Sequence, residues 1–419
     1  MRFSIGACAL IWAMTATASP KIAVESPLTL GQAIAHVLEG NPQLKAAEFD
    51  IQAAVARIRQ QGQTTPWEFG VVLENLAGTG QSSGINDLET TLSLGRVLEL
   101  GDKARLRGEV AQFELGILRH EQDAKRMDLL TEAARRFLTI VRVQAERELS
   151  QERVELMQRT LKAVEKRFRA GKTPSAERSR AQINLVQAEL ALEETDHLLA
   201  NGRRQLSILW GELVPDFGSA QADLFRLDAV PEYAMLEQRI ENNPALARLA
   251  TVKRLADSRL QLARARRQNN LELRAGVRHL NASDDLGLTL SLRVPLGSAT
   301  RAQPYVDEAE SLFQREPLLA ENQHLALRAT LFELHQELLH ARDRYTAYQE
   351  RIIPAAEKAL RDYSQGYAAG RYSLLELTSA QEILLDARNE YLSAAAEHHM
   401  FGVEIVRLTG ARYTTGASQ

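Results

Sequence analysis

Nine histidines and one cysteine are the residues best able to ligate a metal, carry a nucleophile or move a proton, and their spacing supports none of these roles. His36, His120, His197, His279, His324, His335, His340, His398 and His399 form no HExxH motif and no i, i+4 pair beside an acid. His398 falls on a heptad seam, where an imidazole packs rather than ligates. Cys8, the only thiol, stands in the first apolar run. There is no GxSxG, no phosphate-binding glycine loop and no dinucleotide fingerprint. No catalytic residue, cofactor or metal site is expected, and no enzyme.

The chemistry that the spacing does support is that of a wetted wall. In "WEFGVVLENL" (67–76), Glu68 and Glu74 alternate with Trp67, Phe69, Val71 and Leu73. Glu89 stands on the polar face of the run 88–94, opposite Leu88, Leu92 and Leu94. In "LELRAGVRHL" (271–280) Arg274 and Arg278 oppose Leu271, Leu273, Ala275 and Val277, and in "LGLTLSLRV" (286–294) Arg293 opposes Leu286 to Val294. A period of two is the period of a β-strand with one apolar and one polar face. A soluble sheet lying on a core is one reading. The other is a membrane barrel: about 9–11 residues is the length that crosses an outer membrane at a tilt, and charges of both signs suit a water-filled lumen. Strands are expected near 67–76, 88–98, 271–280 and 286–295. Four strands cannot close a barrel, and lipid forbids an open edge. The barrel must then be shared, either by two chains around a filled interior or by three around an open pore.

The elements that position these strands come in duplicate. "FRAGKTPSAERSRAQ" (168–182) recurs as "YAAGRYSLLELTSAQ" (367–381), with Gly171 on Gly370, Glu177 on Glu376 and Gln182 on Gln381. "EGNPQL" (39–44) recurs as "ENNPAL" (241–246), "TLSL" recurs at 91–94 and 289–292, and each half closes on a Leu and Gly pair, Leu209 and Gly211 against Leu408 and Gly410. One unit of helix, strand, strand, helix, helix therefore appears twice. Asp102 to Phe168 lacks proline, and a helix of that length spans ~100 Å. After each repeated phrase apolar residues recur in steps of four and three, from Ala181 to Leu209 and from Ala380 to Leu408, the pattern of coiled-coil packing. Gly171 and Gly370 read as left-handed helix stops, and Thr173, Pro174, Ser175 or Ser373 as the restarts. Hairpin tips are expected at about 169–174 and 367–373, pointing the same way.

The chain divides into a signal peptide at 1–18, a first repeat at 19–211, a linker at 212–231, a second repeat at 232–410 and a tail at 411–419. Met1-Arg2, the apolar run to Met14 and Ala16-Thr17-Ala18 carry the export reading, with cleavage expected after Ala18. A net charge of -3, with Lys and Arg interleaved among Glu and Asp, points away from nucleic acid. Arg264-Ala265-Arg266-Arg267 reads as a solvated helix end.

Taken in order, "NPQLKAA" (41–47), "LENLAGTG" (73–80), "LETTLSLGRVLELGDKARL" (88–106), "IIPAAEKAL" (352–360) and "GYAAGRYSLLELTSAQ" (366–381) resemble the TolC-type outer-membrane efflux channels. Within these the chain is most similar to the branch serving cobalt–zinc–cadmium and other heavy-metal pumps of the resistance-nodulation-division class. The resemblance covers essentially the whole mature chain. It implies a mainly α fold with a β-barrel contribution: a homotrimer with a twelve-stranded barrel in outer-membrane lipid and a long helical tunnel through the periplasm. It also implies a periplasmic adaptor and an inner-membrane pump as partners, with export of heavy-metal cations as the function. Adaptor docking falls to the tips, at Gly171, Lys172, Gly370 and Arg371, and a periplasmic gate to Tyr367, Arg371 and Glu376. A second gate acid expected one turn on is Ser379 here, which thins any acidic ring, and Glu376 also reads as an ordinary helix-start carboxylate. The rival reading is a non-transporting periplasmic coiled-coil scaffold or adaptor.

Overall fold

A computed structural model gives the structure of residues 27–410, apart from residues 78 and 81–83. The expected signal peptide with Cys8, and the tail at 411–419, lie outside the described residues. The first half runs α1 (Leu30–Gly40), α2 (Pro42–Gln61), β1 (Trp67–Glu74), β2 (Glu89–Leu98), α3 (Lys103–Arg169) and α4 (Ser175–Ser207). The second runs α5 (Tyr233–Arg239), α6 (Pro244–Ala265), β3 (Leu271–Leu280), β4 (Asp285–Arg293), α7 (Ser298–Ala347), a π-helical turn (Tyr348–Ile352), α8 (Ile353–Ala368) and α9 (Leu374–Thr409).

Both halves are closed by the same device. The Asn of each Asn-Pro pair caps the helix that follows: Asn41 accepts from the Gln43 and Leu44 amides, and Asn243 from the Ala245 amide. Each Asn also donates its side-chain N–H across its own half, Asn41 to the Leu209 carbonyl at 2.7 Å and Asn243 to the Leu408 carbonyl at 2.8 Å. Those carbonyls end the last helices of the two repeats, and Gly211 and Gly410 turn left-handed just after them. One amide side chain thus starts a helix and ends another.

The strands form one antiparallel sheet in the order β1-β2-β3-β4. The helices α2, α3, α6 and α7 pack side by side in that sequence, so each strand continues into the helix beneath it. Toward the tips α3 packs on α4 and α9, and α9 on α8. The core is accordingly a string of clusters rather than one centre. Phe137, Ile140, Leu206 and Trp210 form the one beside the linker, Ile240, Leu331 and Leu408 the next, and Val164, Tyr367 and Leu374 the one at the tips. The linker is stitched on by side chains: Tyr345 donates to the Phe225 carbonyl, the His399 ring pairs with the Leu224 carbonyl, and His335 with that of Pro231.

Two details depart from the periodicity. β1 ends at Glu74, two residues before the expected Leu76, because Asn75 takes φ +60 and leaves the extended region. β4 ends at Arg293, since Pro295 has no N–H for a ladder. The long helices also differ between the halves. Gly101 and Gly171 lie 70 positions apart and Gly297 and Gly370 lie 73 apart, and only the second stretch is interrupted by a π turn. Pro354 lies just beyond that turn; it lacks an N–H and would crowd the carbonyl one turn back, and a widened turn relieves both.

Candidate functional site

The sheet is inverted relative to a soluble one. Along β2 the polar Ser93 is only 5% exposed, whereas Leu288 and Leu290 on the opposite face are 90% and 82% exposed. The register aligns Val71, Leu92, Val277 and Leu288 in one row, and Phe69, Leu94, Ala275 and Leu290 in the next. The apolar face is therefore continuous across all four strands and uncovered by the other described residues. No helix among the described residues is long and apolar enough to cross a membrane. Trp67 borders the apolar face at one end with the Arg96 guanidinium over its ring, the pairing of an interfacial belt.

The six charges expected on the polar face do share it, joined by Glu272. Glu74 and Glu89 are direct cross-strand partners, a like-charge pair that repels unless bridged. Arg278 bridges them at 2.8 and 2.7 Å and also donates to the Thr91 hydroxyl. Arg274 lies between Glu68 at 3.5 Å and Glu272 at 3.4 Å, and Arg293 reaches Glu272 at 3.2 Å. Small residues let these long side chains lie flat: Gly70, Ser93, Gly276 and Thr289 form one row across the sheet. A Cβ at Gly276 would stand 2.6 Å from the Leu92 carbonyl oxygen.

At the far end the two tips are built alike. Gly171 (φ +69) and Gly370 (φ +76) take the left-handed conformation. Behind each, the next amide reaches back five residues, Lys172 to the Arg167 carbonyl at 3.0 Å and Arg371 to that of Gly366 at 2.8 Å, completing Schellman stops. Gly171, Lys172, Gly370 and Arg371 are all exposed. The restarts differ. Ser373 and Glu376 form a full capping box in the second tip. In the first, Pro174 holds the cap position and has no N–H to offer, and the Thr173 hydroxyl donates to Glu177 instead.

The three gate candidates take three different environments in a single chain. Tyr367 is turned inward and 3% exposed, packed with Val164, Ala181, Leu374 and Leu377. Burial, then the nearby Glu177, pushes its phenol pKa up. Arg167 of α3 lies over the Tyr367 ring at 4.7 Å and donates to the Tyr367 carbonyl. Glu376 accepts at 2.8 Å from the Ser373 amide and at 2.9 Å from its hydroxyl, and these bonds hold its carboxyl below the usual range. Arg371 is exposed and outside the ion pairs among the described residues, as is Glu376, but it lacks the local cap that holds Glu376. Within one chain, then, Tyr367 belongs to the seam between the hairpins and Glu376 to a helix start.

Arg167, which clasps the two tips together, was not among the expected site residues. Its one sequence signal is a position on the last, basic turn of α3 beside Lys166 and Arg169. Above the tips a groove of about 1000 Å³ runs between α3 and the α8–α9 pair, bordered by Arg159, Lys166, Leu360, Leu384 and Arg388.

A family profile described as outer membrane efflux protein matches residues 33–212. The cobalt-zinc-cadmium resistance protein CzcC of Cupriavidus metallidurans is 24% identical, over 92% of this chain and 90% of that one. The outer membrane protein TolC of Salmonella enteritidis is 22% identical, over 84% of this chain and 76% of that one. Among solved structures, CusC superimposes with a TM-score of 0.76 at 18% identity, covering 93% of each chain. VceC of Vibrio cholerae superimposes with a TM-score of 0.74 at 18% identity, covering 91% of this chain and 96% of that one.

Proposed function

We propose that this chain is an outer membrane efflux protein, as the match over residues 33–212 and the likeness to CzcC support, and that three copies form the outer-membrane channel of a tripartite efflux system and release heavy-metal cations to the exterior. The observation that carries this reading is the inverted sheet: an apolar face open across four strands and an ion-paired polar face behind it. Exposed leucines in such a row are stable only against lipid, and ion pairs of both signs belong against water. Three chains supply twelve strands, enough for a barrel with an aqueous lumen. The tunnel length follows from α3, whose 67 residues rise ~100 Å.

The metal cargo is supported by the likeness to CzcC. The exposed tips at Gly171–Lys172 and Gly370–Arg371 receive a periplasmic adaptor, which couples the channel to an inner-membrane pump. Arg371 and Glu376 ring the periplasmic entrance, while Tyr367 and Arg167 latch the second hairpin to the first from within. A cation stacked on a buried ring contributes about 2 kcal/mol, small enough for adaptor docking to offset.

Cysteine scanning tests the channel. In intact cells, cysteines at Glu74 and Arg278 react with membrane-impermeant thiol reagents, and cysteines at Leu273 and Leu290 stay protected. The reverse pattern would place the strands one residue out of register. The cargo is tested by deletion and complementation, which should lower and then restore tolerance to zinc, cobalt and cadmium; unchanged metal tolerance in the deletion strain would remove the metal reading and leave the channel.

A further inference from the structure

Where the strands meet the helices, a cavity of about 330 Å³ is bordered by Glu99, Lys103, Arg107, Arg266, Gln268 and Asn270. We propose that this cavity is an anion site that takes a small oxyanion of the phosphate class from the lumen water, one in each chain.

The argument begins with charge. Both oxygens of Glu99 are occupied by Arg107, at 2.8 and 2.8 Å, so that pair closes on itself. Lys103 is only 9% exposed, and its ammonium donates to two neutral acceptors, the Gln268 carbonyl and the Asn270 side chain. A lysine ammonium has three N–H donors, so one is left over. Arg266 lies over the Tyr305 ring at 5.0 Å and makes no ion pair among the described residues. Lys103 and the exposed Arg266 therefore border one cavity, neither with a carboxylate of its own, and Arg266 also borders the neighbouring cleft at Tyr305. Burial pushes the Lys103 pKa down, more than Glu99 raises it. A buried ammonium is costly until an anion meets it. A tetrahedral oxyanion accepts from a lysine and from an arginine fork together.

The site is also shaped. Gly101 takes φ +83, and a Cβ there would fall 2.9 Å from the Gln268 side chain; the glycine lets Gln268 pack close while its carbonyl fixes Lys103. The first turn of α7 borders the cavity through Ser298, and no side chain caps that helix, so its positive end adds to the field. The arginines of Arg264 to Arg267, which read in sequence as a solvated helix end, are all exposed, and Arg266 also borders the cavity.

Its direction follows from alternation. Glu99 continues the odd-numbered polar face of β2, Asn270 the even-numbered polar face of β3, and Pro295 the odd-numbered polar face of β4. Continued one or two residues past the strand ends, the alternation turns all three of these cavity residues toward the lumen side. Only this direction rests on the channel reading; the binding does not.

The test is thermal unfolding of the purified protein in phospholipid-stripped detergent, with inorganic phosphate against chloride at matched ionic strength. At tenfold over Kd, phosphate should raise Tm by about 1–3 °C. Arg266→Gln should abolish the increment while leaving the chloride Tm near wild type, and Arg266→Lys should restore part of it. Lys103→Gln should abolish it too, but a misfolded Lys103 variant leaves the Arg266 pair decisive. No phosphate increment, or one that survives Arg266→Gln, overturns the proposal. So does a co-purifying phospholipid, seen by native mass spectrometry, that is lost in Arg266→Gln, because the cavity would then open to the membrane. Failure of the channel reading would show separately, in the labelling at Leu290.

Discussion

Leu288→Arg is the substitution that most directly probes the inverted sheet. Leu288 is among the most exposed leucines of the chain and lies at mid-height of β4, in the row with Val71, Leu92 and Val277. If that face meets lipid, a guanidinium there sits near the bilayer midplane and costs ~2–4 kcal/mol per chain. At about 1.4 kcal/mol per decade, the folded-to-unfolded ratio falls roughly 30- to 1000-fold, and a threefold assembly incurs the cost in every copy. The neighbouring Thr289→Arg turns the same charge to the polar face, where Arg278 and Arg274 already stand among carboxylates. Thr289 is half-buried in the row of small residues, so the change should cost about 1 kcal/mol, the centre of the range for a single substitution and below the lipid-facing cost. Refolding of urea-denatured protein into short-chain phosphatidylcholine vesicles, read as the heat-resistant oligomer on gels, measures both. Leu288→Arg should lose most of the band and Thr289→Arg little. Equal yields would show that Leu288 does not face lipid, and a loss confined to Thr289→Arg would reverse the faces.

Further outcomes follow from the helical part. Asn243→Ala removes a helix cap and leaves the buried Leu408 carbonyl without its donor, at a cost of ~2 kcal/mol or more; denaturant unfolding should show it, and Asn41→Ala should match it. His398 is buried on α9 with a pKa depressed to about 4, first by burial and then by His399. Its folded pKa lies below the ordinary value near 6.5, so the stability of the neutral form is complete above that pH and is lost as pH falls toward 4. His398→Leu should flatten Tm between pH 7 and 4, and an unchanged slope would remove His398 as the cause. Gly370→Val puts a branched side chain at φ +76, at a cost of roughly 1–2 kcal/mol; efflux and adaptor crosslinking should fall with the oligomer still in the membrane. Removing Tyr367 and Arg371 together should raise single-channel conductance in planar bilayers. Glu376→Gln should preserve the capping geometry, so that any change in divalent-cation block reports the charge alone.

The features legible in the sequence were those whose physics is local. A period of two shows the faces of Leu286 to Arg293 whatever they pack against, because the side-chain direction of a strand alternates with the backbone itself. A left-handed glycine such as Gly171 or Gly370, and an Asn before Pro such as Asn41 or Asn243, mark helix ends through contacts within a turn or two. Duplication did the rest, since each signal could be checked against its copy in the other half. Burial obeys no such local rule. Tyr367 and Arg371 are four residues apart on one tip, yet only Tyr367 is buried, because Val164 and Ala181 of the other hairpin pack on it and Arg167, 200 positions earlier, lies over its ring. The caps showed that Asn41 and Asn243 begin helices, but not that each also closes its half on Leu209 or Leu408. Lys103 and Arg266 looked like two more charges among many interleaved ones. They share one cavity only because β2–α3 and α6–β3 are neighbours in the wall, a lateral order of elements that tertiary packing alone decides.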